Sequence, residues 1–145
     1  MPIYGTAPSQ SILPGQIGYF FGNPALPGTP VAAADEAIAA NAKSRPVVIP
    51  AVNAGTTNTQ RQITWQVNGT GTYNFNLQAS IDDVDGDYVT VDNYTGSNSS
   101  GPRHVQADAS TAALSTSKVV ANARFFRVVE NSGSPVTATV RATAL

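Results

Sequence analysis

"RQITWQVNGTGTYNFNLQASI", residues 61–81, decides the fold. Apolar and polar residues alternate through both halves, the period of a strand with one buried face. Ile63, Trp65 and Val67 share one side of the first half. Tyr73, Phe75, Leu77, Ala79 and Ile81 share one side of the second, with Asn74, Asn76 and Gln78 opposite. "NGTG" (68–71) between them predicts a hairpin joining the two strands.

The same grammar continues on both sides. "PVVIPAV" (46–52) is β-branched and bounded by prolines, which predicts a first or edge strand. "DYVTVDNYT" (87–95), "RHVQAD" (103–108) and "SKVVANARFFRVVEN" (117–131) read as further strands. In the last of these, Phe125 and Val129 are expected inside, and Arg124 and Arg127 either act as cation–π partners and salt-bridge donors to the acidic turn or, the favoured reading, lie on the solvent side. "SPVTATVRATAL" (134–145) places Val136, Ala138, Val140 and Ala142 inward and Thr137, Thr139, Arg141 and Thr143 outward. "NSGSP" (131–135) reads as a hairpin before it. About seven or eight short strands with turns every ~8–12 residues predict an all-β fold. The expected architecture is an antiparallel β-sandwich, jelly-roll-like, over residues 46–145, with Trp65, Phe75, Leu77 and Phe125 as large core members.

Residues 1–45 are different in kind. The first 34 residues carry no charge, and eight of the ten prolines lie within the first 50. Proline fixes φ and removes a donor, so an extended arm is expected here. Disordered linkers are charged and poor in aromatics, whereas this one holds Tyr4, Ile12, Leu13, Ile17, Tyr19, Phe20, Phe21 and Leu26. Such side chains must lie on something, either the chain's own sheet or a neighbour. "AAADEAIAANAK" (32–43) is the one stretch with helical composition, which predicts a short helix near 33–43.

The whole chain has 145 residues, a net charge of −1 and 12% charged residues. That argues against a nucleic-acid partner, which requires a basic surface. The absence of cysteine excludes disulfides and thiolate metal sites. No apolar run reaches the ~18–20 residues that span a bilayer, so no membrane is expected. "MPIYGTAPSQ" (1–10) lacks a signal-peptide pattern, and synthesis in the cytosol is expected.

Sites of chemistry are few. "DDVDGDY" (82–88) clusters carboxylates, of which Asp83, Asp85 and Asp87 are weak calcium candidates. The flanking strands and Ile81 in the first ligand position rule out an EF-hand, and an acidic hairpin turn on Asp85-Gly86 is the simpler reading. His104 is the one histidine and has no nucleophile-elbow pattern near it. No phosphate loop is present, so neither an enzyme nor a cofactor is expected. Tyr88 and Tyr94 are candidates for stacking on a sugar.

"LQASIDDVDGDYVTVDNYTG", then "GPRHVQA" and "VVANARFFRVVENSGSPVTATVRATAL", resembles small β-sandwich structural proteins of tailed-bacteriophage virions, over roughly residues 60–145. The preceding arm resembles the extended termini by which head decoration (cement) proteins grip neighbouring capsid subunits. The resemblance implies a non-enzymatic homotrimer on the capsid surface of a virion, made in the host cytoplasm. Its partners would be the major capsid protein and neighbouring copies of itself. Tyr4, Ile12, Leu13, Ile17, Tyr19, Phe20, Phe21 and Leu26 would be the partner-binding residues, since aromatics bury much area at little rotamer cost. On that reading, deleting residues 1–31 leaves the sandwich folded and abolishes particle binding. A tail, neck or fibre protein, or a carbohydrate-binding module, is the alternative.

Overall fold

A computed structural model describes residues 10–12, 15–22, 36–49, 62–98, 101, 103–106 and 124–144. Among these residues, ten strands form two sheets. Sheet A has the order β1 (Gln10–Ser11), β4 (Val47–Val48), β9 (Phe125–Glu130), β6 (Thr72–Ser80), β7 (Val89–Ser97). Sheet B runs β2 (Ile17–Phe21), β10 (Val136–Ala144), β5 (Gln62–Thr70), β8 (Arg103–Gln106), and β3 (Glu36–Ile38) also pairs with β10. All pairings are antiparallel except the two-residue match of β1 with β4. The expected all-β sandwich is therefore the fold.

Alternation does the sorting. Ile63, Trp65 and Val67 of β5 face Tyr73, Phe75, Leu77 and Ala79 of β6 within one buried cluster. Val136, Ala138, Val140 and Ala142 of β10 join them. Phe21 of sheet B meets Phe75 of sheet A with ring centroids 6.1 Å apart. The Trp65 indole packs edge-on to Tyr94 at 5.6 Å and donates to Asp92 Oδ2 at 2.9 Å. Asp92 reaches that inward position because β7 carries a bulge opposite Leu77/Gln78, which re-aims a side chain as bulges do.

Several expectations are corrected. β5 and β6 do not pair with each other; the chain changes sheets between them at Gly71, whose φ of 83° suits glycine. "NSGSP" likewise carries the chain from sheet A to sheet B instead of closing a hairpin. Residues 36–43 form β3, a turn and a bridge to β9, with no helix. The Ala-rich segment is too short for propensity to outweigh strand pairing along β10. β9 is in the opposite phase to that expected: Phe126, Val128 and Glu130 are buried, whereas Phe125 and Val129 are only half-buried. Ile81 is 63% exposed, outside the core. Thr139, expected outside, is buried.

The described parts of the N-terminal region (residues 10–12, 15–22 and 36–45) are woven into both sheets. β2 and β3 share one edge of β10, and Ile12, Phe20 and Phe21 belong to the same core as Trp65. Gly18 lets β2 lie close to sheet A, since a Cβ there would meet Val47 Cγ1 at 2.8 Å.

Candidate functional site

Among the described residues, three clusters hold charged side chains tied to other segments of the chain. The first lies on the outer face of sheet A. Gln78 of β6 and Arg127 of β9 are cross-strand partners, and Arg127 Nε donates to Gln78 Oε1 at 2.7 Å. Residues 81–88 link β6 to β7 and contain a single 3-10 turn at Asp85–Asp87. This loop folds over Arg127. Tyr88 lies 3.9 Å below the guanidinium carbon, and Arg127 Nη1 donates to Asp85 Oδ1 at 2.6 Å. Lys43 Nζ reaches the same oxygen at 2.7 Å. Arg127 is thus 6% exposed and takes the cation–π and ion-pair role, not the favoured solvent-side one, while Arg124 is exposed. Bonds donated by Lys43 and Arg127 hold the Asp85 carboxyl down at about 2.

The rest of the acidic loop is tied as well. Tyr88 donates its hydroxyl to Asp83 Oδ1 at 2.6 Å, and Ser80 donates to Asp82 Oδ1 at 3.0 Å. Asp87 is exposed. The carboxylates therefore turn outward to separate partners instead of converging. Among the described residues, no three acidic or histidine side chains form a metal-binding group.

The second place is Glu130, a carboxylate buried at the end of β9. It accepts from the backbone N–H of Asn41 at 2.9 Å, Ser132 at 2.7 Å and Gly133 at 3.1 Å, and from the Ser132 hydroxyl. Burial alone would raise its pKa; the four donors more than offset that and hold it below the usual carboxylate value. One side chain thereby fastens the 39–42 turn to the 131–134 turn. The signal was present in sequence as a Glu followed by "NSGS", a run of turn donors.

The third is Arg45, which clamps the end of β2. Its Nε donates to the Tyr19 carbonyl at 2.9 Å and its Nη2 to the Gly22 carbonyl. Glu36 Oε2 accepts from the Gly22 N–H at 2.7 Å. Burial lowers the Arg45 pKa, and the nearby Glu36 opposes that.

Of the residues expected to bind a partner, Ile12, Phe20 and Phe21 lie in the chain's own core, at 3%, 1% and 2% exposure. Ile17 is 56% exposed and Tyr19 is half-buried. Tyr4, Leu13 and Leu26 lie outside the described residues. Neither tyrosine proposed for sugar stacking is an open platform. Tyr88 is buried under Arg127, and Tyr94 packs on Trp65 and Tyr73 while donating to the Gly101 carbonyl at 2.6 Å. On the outer face, Asn93 Nδ2 instead donates to Asn74 and Asn76 Oδ1 at 2.6 and 2.7 Å.

No protein-family model and no curated protein matches the chain. Among solved structures, the chain is similar to the SPBc2 prophage-derived protein YomS. The two are 9% identical with a TM-score of 0.49, over 92% of this chain and 96% of that one.

Proposed function

We infer that the chain is a non-enzymatic structural component of a tailed-bacteriophage virion, of the head-decoration type. On this reading it binds between major coat subunits on the capsid surface, as a homotrimer, and is made in the host cytoplasm. Its partners are protein, not nucleic acid or membrane, in keeping with a net charge of −1. One observation carries the structural role. The charged groups at the sites described above (Glu130, Arg127, Asp85, Lys43, Arg45 and Glu36) act as internal braces, each fixing one segment to another. A catalytic site holds its ionisable groups toward a substrate; these are held toward the fold. The sequence resemblance over residues 60–145 supplies the virion context.

Quantitative mass spectrometry of purified particles tests the reading. Copies in the hundreds relative to coat protein support decoration. A handful of copies moves the chain to the tail, neck or fibre base. Absence from particles overturns the virion role and sends the chain to a glycan array.

A further inference from the structure

β2 and β3 lie end to end along β10. Phe21 stands opposite Val140 and Glu36 opposite Ala138, and both strands run antiparallel to β10. Only Thr139 separates the two places, so Glu36 sits where residue 23 would sit in one unbroken strand. The chain leaves this line at Gly22, whose φ of 90° is open to glycine. It rejoins the line at Glu36, with the thirteen residues 23–35 in between. The break is secured from the body of the molecule. The Gly22 N–H donates to Glu36 Oε2 at 2.7 Å, and Arg45 donates to the Tyr19 and Gly22 carbonyls. These bonds grip main-chain atoms, so the end of β2 is fixed up to Gly22 whichever way the chain then continues.

β1 and β2 are also the outermost strands of their sheets among the described residues. β1 lies beside β4 in sheet A and β2 beside β10 in sheet B, while Ile12, Phe20 and Phe21 enter the shared core. Residues 10–22 thus form a clip over one flank of the sandwich. The clip can leave without breaking any strand pairing but its own.

Within one chain, residues 23–35 must close a loop between points about 7 Å apart, two residues of β10 at ~3.3 Å each. Loop closure costs conformational entropy. Pro24, Pro27 and Pro30 favour extended backbone, which opposes closure further. Fully extended, thirteen residues reach about 45 Å, more than the ~30 Å length of the nine-residue β10. The tether therefore reaches a second molecule lying alongside. Docked there, the clip makes every contact it makes at home, and the loop no longer has to close. We propose that residues 10–22 are exchanged between copies of this chain, the clip of one molecule completing the β4 and β10 edges of the next. Glu36 and Arg45 of the receiving copy then hold the incoming Gly22 and Tyr19. The exchange is reciprocal between two molecules or runs around a ring.

The test uses purified protein alone, so its outcome is independent of the virion reading. The chain has no cysteine, and Ile17 and Thr143 are cross-strand partners between β2 and β10, with Ile17 56% exposed. Antiparallel partners stand ~4.5–5.5 Å apart, which suits a disulfide. Full-length Ile17→Cys/Thr143→Cys is unfolded under reduction, refolded at about 10 µM to about 2 mM, and then oxidised. That series brackets the millimolar effective concentration of such a tether. On non-reducing gels the bond is expected within one chain at the low end, and between chains in about half the molecules at the high end. A control pair, Asn74→Cys/Thr95→Cys, joins β6 to β7 outside the clip and is expected to stay within one chain throughout. Removing residues 23–35 from the first variant joins Gly22 to Glu36 in register. That chain is expected to fold and to bond only to itself at every concentration. Three results would each overturn the proposal: an Ile17→Cys/Thr143→Cys bond still within one chain at about 2 mM, both pairs linking chains alike, or a shortened chain that fails to fold or still links to others.

Discussion

Replacing Glu130 with glutamine keeps the side chain's shape and removes its charge. The amide NH2 then confronts N–H donors from Asn41, Ser132 and Gly133. The expected cost is about 2–4 kcal/mol, since charge-assisted bonds are lost and a buried donor is left unpaired; urea unfolding at pH 7 measures it. Asp85 gives a pH signature. Its folded pKa of about 2 lies below the ordinary 3.8. The stabilisation is therefore complete above pH 3.8 and is lost as pH falls through about 2. The difference in melting temperature between wild type and Asp85→Asn should be constant near neutrality and shrink toward zero over that acid range. A difference that persists at pH 2 would mean that Asp85 acts by shape, not charge. Residue by residue, the inner faces of β5, β6 and β10 were legible because strict alternation leaves one reading. β9 was not. Its adjacent Phe125 and Phe126 permit either phase, and the one adopted buries Glu130. Only the turn donors around Glu130 make the true phase affordable.

At the scale of elements, β2 rests on a close approach. A Cβ on Gly18 would meet Val47 at 2.8 and 3.0 Å and Ile12 at 3.2 Å. Gly18→Ala should cost about 1–3 kcal/mol, the usual range for overpacking. Gly86→Ala, with nothing within 4 Å of the added carbon, should change stability by under ~0.5 kcal/mol. Equal effects on thermal unfolding would show that β2 can shift to make room. Which strands exist was largely readable; which strands pair was not. "NGTG" is written in the same letters whether a hairpin closes or a chain changes sheets. Here Gly69 is used instead for contact with β10, where a Cβ would lie 2.9 Å from the Thr137 carbonyl oxygen. The Ala-rich segment shows the same limit, since its pairing partner lies about a hundred residues away in β10.

For the whole molecule, β1 and β2 belong to the two sheets and their side chains to the core. Deleting residues 1–31 removes β1 and β2, and with them Ile12, Phe20 and Phe21 from the core. Truncating one such phenylalanine costs ~3–5 kcal/mol, against a total stability of about 5–15 kcal/mol. The deletion is therefore expected to abolish cooperative melting in circular dichroism, contrary to the reading of this region as a detachable arm. A sharp, wild-type-like transition would restore that reading. β10 sets a further condition on how the molecule comes into being. β2 and β3 have no neighbour in sheet B until residues 136–144 arrive, about a hundred residues later in the chain. During translation, Phe20 and Phe21 emerge from the ribosome long before their shelter exists. Folding must wait for late synthesis, and a stalled nascent chain presents two adjacent aromatic rings to chaperones.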